Sequence, residues 1–160
     1  MIRLAEPTDA VAIAGLWNQM IRASLATFTT LEKTPEEIDG LIRDRAGTFW
    51  VAAKPLVIGF VTFGAFRPGP GYAATVEHTV ILAPQAQGKG IGRSLMQIAM
   101  ETAHRADHHI MIAGISSANP QAVAFHTALG FTQTGYMPQV GRKGGEWLDL
   151  ILMQKTLGAP

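Results

Sequence analysis

Apolar positions recur along this chain in two rhythms, one helical and one alternating, and each change of rhythm marks a segment. A short strand is expected at 2–5. Ile13, Leu16, Trp17, Met20 and Ile21 then share one helical face, which predicts a helix capped by Thr8 or Asp9. Thr34-Pro35-Glu36-Glu37 predicts a second helix start. The threonine caps, the proline suits the first turn, and Glu37 closes a capping box, with Ile38, Leu41 and Ile42 as the buried face. Segments 49–53 and 56–66 read as antiparallel strands joined by a tight turn at Lys54-Pro55. The two prolines and two glycines of 67–71 break any ladder, so a loop is expected there. A strand over 75–82 follows, ended by Pro84.

From Gly90 onward, Ile91, Leu95, Ile98 and Ala99 fall on one face of a predicted helix. Residues 108–115 read as a strand. Asn119-Pro120 opens another helix, with asparagine as cap and proline in the first turn, and Leu129-Gly130 ends it. Segments 131–136 and 147–154 are expected to close the fold as strands, with a glycine-rich loop at 139–146. Strands interspersed with helices in this order imply an α/β or α+β fold with one central sheet, built as one domain over 1–160.

At 160 residues the chain can bury roughly two thirds of its unfolded surface, so it needs no covalent staple. Its 48% hydrophobic content against 16% charged is apolar for such a domain and points to surface covered by a partner subunit. A net charge of +1 gives no general reason to bind nucleic acid or an anionic membrane. There is no cysteine, which excludes disulfides, thiolate metal sites and a cysteine nucleophile, and agrees with a cytoplasmic location. The start MIRLAEPTDA lacks the pattern of a signal peptide, and no apolar run reaches the length of a membrane span.

The densest chemistry lies in Gln87-Gly88-Lys89-Gly90-Ile91-Gly92-Arg93, between a predicted strand and an amphipathic helix. A diphosphate needs several hydrogen-bond donors converging on it. Backbone N–H groups at a helix start supply them, and the helix dipole adds about half a positive charge. Glycine allows close approach, where a Cβ would hold the anion away. Each charge-assisted hydrogen bond contributes about 1.5–3 kcal/mol, so several can hold a diphosphate where Lys89 alone would not. The dinucleotide fingerprint needs G-x-G-x-x-G directly after a strand. Here the glycines are 88, 90 and 92, followed by Arg93. A P-loop needs Gly-Lys-Ser/Thr, but Gly90 follows Lys89. A cradle for some other diphosphate remains, beside the plainer reading of a glycine-rich turn.

Residues 87–92 match the Gln/Arg-x-x-Gly-x-Gly/Ala signature of the GNAT acetyltransferases, and the resemblance covers nearly the whole chain. Within that family the chain most resembles the phosphinothricin and methionine sulfoximine N-acetyltransferases. The resemblance rests also on Thr75-Val76-Glu77-His78, on Asn119 with Phe125-His126, and on Leu129-Gly130-Phe131. It extends through Met137-Pro138-Gln139-Val140-Gly141 to Trp147-Leu148-Asp149-Leu150. It implies a GNAT fold with a mixed, mostly antiparallel sheet flanked by helices. It further implies an N-acetyltransferase that uses acetyl-CoA and no metal, acts on a small amino-acid-like amine, and forms a homodimer. The CoA pyrophosphate would lie on Gln87, Gly88, Lys89, Gly90, Ile91, Gly92 and Arg93. The pantetheine arm would run along Val80, Ile81 and Leu82, held also by Asn119, whose plainer role is a helix cap. The alternatives are an acetyltransferase for peptide or protein amines, and a CoA-binding sensor without turnover.

Acetyl transfer needs a neutral amine, a thioester held beside it, and stabilisation of the charge that develops. Glu77, among apolar strand neighbours, is the candidate base. A half-buried carboxylate there would have a raised pKa, whereas a solvent-facing strand glutamate would not. His126 is the second catalytic candidate by resemblance, although a lone helical histidine is more often structural. His78 should face the opposite side of the strand from Glu77, unless a bulge turns it inward. Arg67, beside Pro68 and Gly69, is the candidate for an acceptor carboxylate. With Glu77, His78 and Thr79 these residues make up the expected acceptor site. Phe28, Tyr72, Met137 and Trp147 are candidate apolar walls. Relatives tend to carry an aromatic residue near 69 and a basic one near 73, where this chain has Gly69 and Ala73. His104 and His108 have metal-ligand spacing but no third ligand in a recognised pattern, so no metal is expected.

Overall fold

The computed structural model describes residues 1–158, so the last two residues of the expected 1–160 domain lie outside the described part. Seven strands form one sheet: β1 (Ile2–Leu4), β2 (Phe49–Ala53), β3 (Val57–Ala65), β4 (Thr75–Leu82), β5 (Ile110–Ser116), β6 (Thr132–Lys143) and β7 (Glu146–Thr156). Their spatial order is β1-β2-β3-β4-β5-β7-β6. Only β4 and β5 run parallel. The mixed, mostly antiparallel sheet is therefore as expected.

Side-chain alternation sorts the core into two layers. Phe49, Val51, Phe60 and Ile81 face α1 (Ala10–Ala23) and α2 (Pro35–Asp44), where Ile13, Ile38 and Ile42 are buried against them. Trp50, Ala52, Val61, Phe63 and Val76 face the other way. There they pack with Leu95, Met96 and Ala99 of α3 (Ile91–Arg105) and with Val123 and Phe125 of α4 (Pro120–Ala128). Both faces of β2 and β3 are covered, so these strands read as continuous apolar runs rather than alternating ones.

The α2 start follows the sequence closely. Thr34 Oγ1 accepts the Glu37 N–H at 3.1 Å, and Glu37 Oε2 accepts the Thr34 N–H at 3.0 Å. The α1 start does not. Residues Pro7–Asp9 form a 3-10 turn, and Asp9 makes no side-chain cap to the helix. Its carboxylate turns back to accept the Glu6 N–H at 2.8 Å and two guanidinium bonds from Arg3 at 2.7 and 2.9 Å. An ionic partner one strand away outcompetes the local cap.

The expected loop at 139–146 is also corrected. β6 continues to Lys143, and only Gly144 and Gly145 turn the chain, at φ of 59° and 79°. Two consecutive residues with positive φ suit the twist of a tight hairpin, and glycine supplies both without strain. Pro138 does not end the strand because the ladder bulges between Met137 and Gly141. Within the bulge, Gln139 takes a left-handed φ of 56° and donates its N–H to Asp149 Oδ1 at 2.8 Å.

No helix among the described residues is long and apolar enough to cross a membrane.

Candidate functional site

The site begins where the sheet opens. β4 stays paired to β3 along its whole length, from Ala65 opposite Val76 to Gly59 opposite Leu82. Its parallel pairing with β5 stops at Glu77 opposite Ile112. Beyond that point β5 continues against β7. One edge of 78–82 is thus left without a strand partner, and a cleft opens between β4 and β5. Glu77, His78, Thr79, Val80 and Ile81 line it from one side, and Ala113, Gly114, Ile115 and Ser116 from the other.

The cleft leads to the glycine-rich segment. A cavity of about 480 Å³ passes Val80 and Leu82 and reaches Gln87, Gly88, Gly90, Gly92 and Arg93, with Asn119, Phe125 and His126 opposite. Gly90 precedes the first turn of α3 at φ 79°, and no side chain caps that helix. Its first amides have no partner within the helix, so they are donors available to an anion. Gly88 is left-handed too, at φ 73°. A Cβ at either position would meet nothing within 4 Å, so backbone conformation rather than crowding demands glycine there. Gly92 differs. A Cβ would come within 3.2 Å of Leu82 Cδ1 and Phe125 Cζ, so this glycine lets α3 lie close on β4 and α4. The Lys89 side chain is exposed and off the cavity wall, and Ile91 packs on the core.

Asn119 stands where the cavity and the cleft join. Its Oδ1 accepts the Ala122 N–H at 3.2 Å, as expected of a cap. Its amide donors have no hydrogen-bond partner among the described residues and remain free for a ligand in the cleft.

Glu77 occupies the last paired position before the opening. It is more exposed than expected for a carboxylate in an apolar strand. Its cross-strand partner is Gly64, and Gly114 lies beside its carboxylate, so neither neighbour carries a side chain to cover it. The surrounding protein nevertheless raises its pKa, against the lowering effect of the Arg45 charge. Arg45 follows α2 and is half-buried. It continues the stripe of Ile38, Leu41 and Ile42, so its position at helical spacing on an apolar face was a readable signal.

His78 faces away from Glu77, without a bulge, and is buried on the α4 side of the sheet. There its Nε2 meets the Nε2 of His126 at 2.9 Å. The His126 Nδ1–H donates to the Ala122 carbonyl at 2.7 Å. In the neutral pair the His126 Nε2 must then accept the His78 Nε2–H, which leaves the buried His78 Nδ1 without a partner. Burial, followed by the neighbouring His126, lowers the His78 pKa to about 3, and burial lowers that of His126 as well. Both nitrogens of His126 are therefore engaged.

A further wall of the cleft comes from the segment after α1, which carries Leu25 and Ala26, with Ala26 on the lining. Ser116 Oγ donates to the Leu25 carbonyl at 2.6 Å. The Lys143 ammonium donates to the carbonyls of Ile21, Ser24 and Thr27 at 2.7, 2.9 and 3.0 Å. Phe28 lies over Gly141, where a Cβ would come within 2.6–2.7 Å of its ring. Sequence reasoning missed Lys143 because it treated that stretch as a loop.

Other candidates stay apart from the cleft. Arg67, Pro68 and Gly69 are exposed and line neither the cleft nor the cavity, and the Arg67 guanidinium sits 5.3 Å from the Phe66 ring centroid. Tyr72 stacks edge-on to Phe66. Met137 and Trp147 are exposed on the β6–β7 hairpin, where Arg142 covers the Trp147 ring at 4.5 Å. His108 Nδ1 lies 3.2 Å from the Ala73 carbonyl, and no cluster of metal-ligating residues occurs among the described residues.

The chain is similar to several known proteins. The L-methionine sulfoximine/L-methionine sulfone acetyltransferase of Salmonella typhimurium is 36% identical, over 98% of this chain and 94% of its own. The phosphinothricin N-acetyltransferase of Streptomyces coelicolor is 32% identical, over 98% and 95%. The structure of yncA from Salmonella typhimurium, solved with its cofactor acetyl-CoA, superposes with a TM-score of 0.94 at 36% identity, covering 100% of this chain and 95% of that one. Residues 17–131, which hold the cradle, the opened strands and the histidine pair, match the acetyltransferase (GNAT) family. The chain belongs to that family.

Proposed function

We propose that the protein transfers the acetyl group of acetyl-CoA to the amine of a small amino-acid-like acceptor of the methionine sulfoximine, methionine sulfone or phosphinothricin type, with Glu77 as general base. The observation that carries this reading is the end of β4–β5 pairing at Glu77, which puts a carboxylate where a cleft fed by the anion cradle opens.

Acetyl-CoA supplies the activated acyl group as a thioester. The residues present fit it. Uncapped amides behind Gly90 suit its diphosphate, and the free edge of 78–82 suits the amides of its arm. The protein's main contribution is to hold two reactants in line, which can be worth an effective molarity of about 10⁵–10⁸ M. Glu77 takes the proton that the attacking ammonium group must lose. The neutral nitrogen then bonds to the carbonyl carbon, the C–S bond breaks, and the second proton that the nitrogen sheds in becoming an amide goes to the departing thiolate, which leaves as the thiol. A carboxyl group with a raised pKa is better matched to this task than an ordinary one. His126 supports the site through His78 rather than touching the amine, because both its nitrogens are engaged.

A second copy of the chain would cover Tyr136, Met137, Val140 and Trp147, exposed together on the outer β6–β7 hairpin, and the reading includes such a homodimer. A cysteine-free chain is suited to the cytoplasm.

Thiol release measured across an amine panel tests the reading. Turnover is expected with methionine sulfone, methionine sulfoximine or phosphinothricin. Acetyl-CoA binding without thiol release would make the protein a sensor. Turnover confined to peptide amines would move it to protein acetylation. Glu77→Gln should keep acetyl-CoA affinity and lose about 10²–10⁴-fold in turnover. An unchanged rate would remove Glu77 as base.

A further inference from the structure

Arg45 is a half-buried cation with too few partners. Its Nη1 reaches Thr62 Oγ1 at 3.3 Å, which is its single side-chain hydrogen bond among the described residues. Among the described residues no carboxylate lies within ion-pairing distance. The ion pairs among the described residues join Arg3 to Asp9, Arg22 to Glu32, Arg43 to Asp39 and Arg105 to Glu101. A guanidinium has five donors, so most of its capacity is unused.

Its position is equally specific. A Cβ at Gly64 would lie 2.8 Å from Arg45 Nη2 and 3.0 Å from its Cζ and Nε. The guanidinium thus occupies the space that a side chain at 64 would fill. Gly64 is the cross-strand partner of Glu77, and side chains at such positions stand about 4.5–5.5 Å apart at Cβ. Arg45 therefore lies across from the candidate base, on the same face of the sheet, without closing an ion pair to it. Burial, its largest influence, lowers the arginine's pKa, as expected of a cation kept dry without a full counter-charge.

We propose that Arg45 receives the carboxylate of the acceptor and thereby sets its α-amine beside Glu77, so that Arg45 selects amino acids over simple amines. This inference rests on the acetyltransferase reading above. In an α-amino acid a single carbon separates carboxylate from amine. An anion held over Gly64 accordingly places the nitrogen within reach of Glu77. The planar fork of arginine matches a carboxylate bidentately, which lysine cannot do. Gly64 is part of the same device, since any side chain there would displace the guanidinium. Neither arginine is part of the lining of the cleft or the cavity, but Arg67 stands exposed over Phe66 whereas Arg45 lies over Gly64, across from Glu77.

The test compares methionine sulfone with 3-(methylsulfonyl)propan-1-amine, the same acceptor without its carboxylate. Thiol release is followed on the pH-independent plateau of each variant's kcat/KM profile, so that protonation of Glu77 does not enter the comparison. Arg45→Met should lower kcat/KM for methionine sulfone roughly 10²-fold, chiefly through KM, and change the simple amine less than about 3-fold. Arg45→Lys should restore part of the loss. Arg43→Met, two residues earlier, exposed and paired with Asp39, should change neither acceptor. Circular dichroism and acetyl-CoA calorimetry establish that each variant is folded. If Arg45→Met does not fold, Arg45→Gln and Arg45→Lys make the same comparison. Equal losses on both acceptors, or none on either, would overturn the proposal. So would collapse of the preference in Arg67→Met instead. Wild-type protein that releases no thiol with any acceptor would sink the acetyltransferase reading itself, a different result from turnover without an Arg45-dependent preference.

Discussion

The imidazoles of His78 on β4 and His126 on α4 meet Nε2 to Nε2 at 2.9 Å, with the His126 Nδ1–H already given to the Ala122 carbonyl. The pair ties the strand that carries Glu77 to the helix that walls the cavity. It does so as two neutral rings, because burial disfavours charge on both. His78 titrates near 3 in the fold, against 6.5 ordinarily. Above 6.5 neither folded nor unfolded chain binds the proton, and stability is unaffected. Below it the unfolded chain takes up a proton that the fold refuses. Stability should therefore fall as pH drops from 6.5 toward 3, by about 1.4 kcal/mol per pH unit for each such histidine. Urea unfolding from pH 7.5 down to pH 4.5 reads this slope, on the order of one to two protons. His78→Gln, which keeps a donor for His126, should flatten it. An unaltered slope in that variant would place the acid sensitivity elsewhere.

Replacement of Gly90 tests the cradle. A left-handed φ costs an L-residue about 1–2 kcal/mol, yet a Cβ at Gly90 would strike nothing within the protein. Gly90→Ala should consequently fold and melt slightly early. Gly90→Val adds bulk at the mouth of the anion site and should lose acetyl-CoA affinity by at least about 10-fold. Calorimetry on the folded valine variant decides the matter. Unchanged affinity would show that the amides behind Gly90 do not grip the diphosphate.

The charge of Arg45 should also be visible in the pH profile. It lowers the Glu77 pKa while burial raises it. A base works only when deprotonated, so kcat/KM should rise with pH through the Glu77 pKa. Removing the arginine leaves burial unopposed, so Arg45→Met should move this acid limb to higher pH. The simple amine is the acceptor to use, because it carries no carboxylate to lose. A limb that moves to lower pH, or stays in place, would mean that some other group titrates.

Most elements could be read from apolar rhythm and from caps. Thr34-Pro35 and Asn119-Pro120 were legible because a cap and a first-turn proline act within one turn of chain. The glycine-rich start of α3 was legible for the same reason, since its glycines and the helix start are contiguous. Asp9 misled because its partner, Arg3, lies outside the helix and binds ionically. The 139–146 segment misled because a bulge absorbs Pro138, and bulges are fixed by the facing strand, here through Asp149. Arg45 and the His78–His126 pair depend on which strands become neighbours and where their pairing ends. No local pattern states that, although an arginine ending the Ile38-Leu41-Ile42 stripe was a hint.

Lys143 makes the sharpest demand on one side chain. Its ammonium is nearly buried without a carboxylate, and three carbonyls, from Ile21, Ser24 and Thr27, converge on it at 2.7–3.0 Å. The lysine thus closes the C-terminal end of α1 and anchors the segment bearing Leu25 and Ala26 to the β6–β7 hairpin. Lys143→Met keeps the apolar stem and deletes the donors, leaving three carbonyls to find water. Loss of about 2–4 kcal/mol in urea unfolding is expected, since hydrogen bonds to a charged group contribute about 1.5–3 kcal/mol each and are not additive. Arginine should not rescue it, because a planar fork cannot point at three convergent acceptors as a tetrahedral ammonium can. Activity should report the same anchor. The segment walls the cleft proposed to take the acceptor, whereas the proposed diphosphate site stands at the start of α3, so KM for the amine should rise while acetyl-CoA affinity holds. If both affinities fell together, Lys143 would be holding the whole fold rather than the acceptor wall.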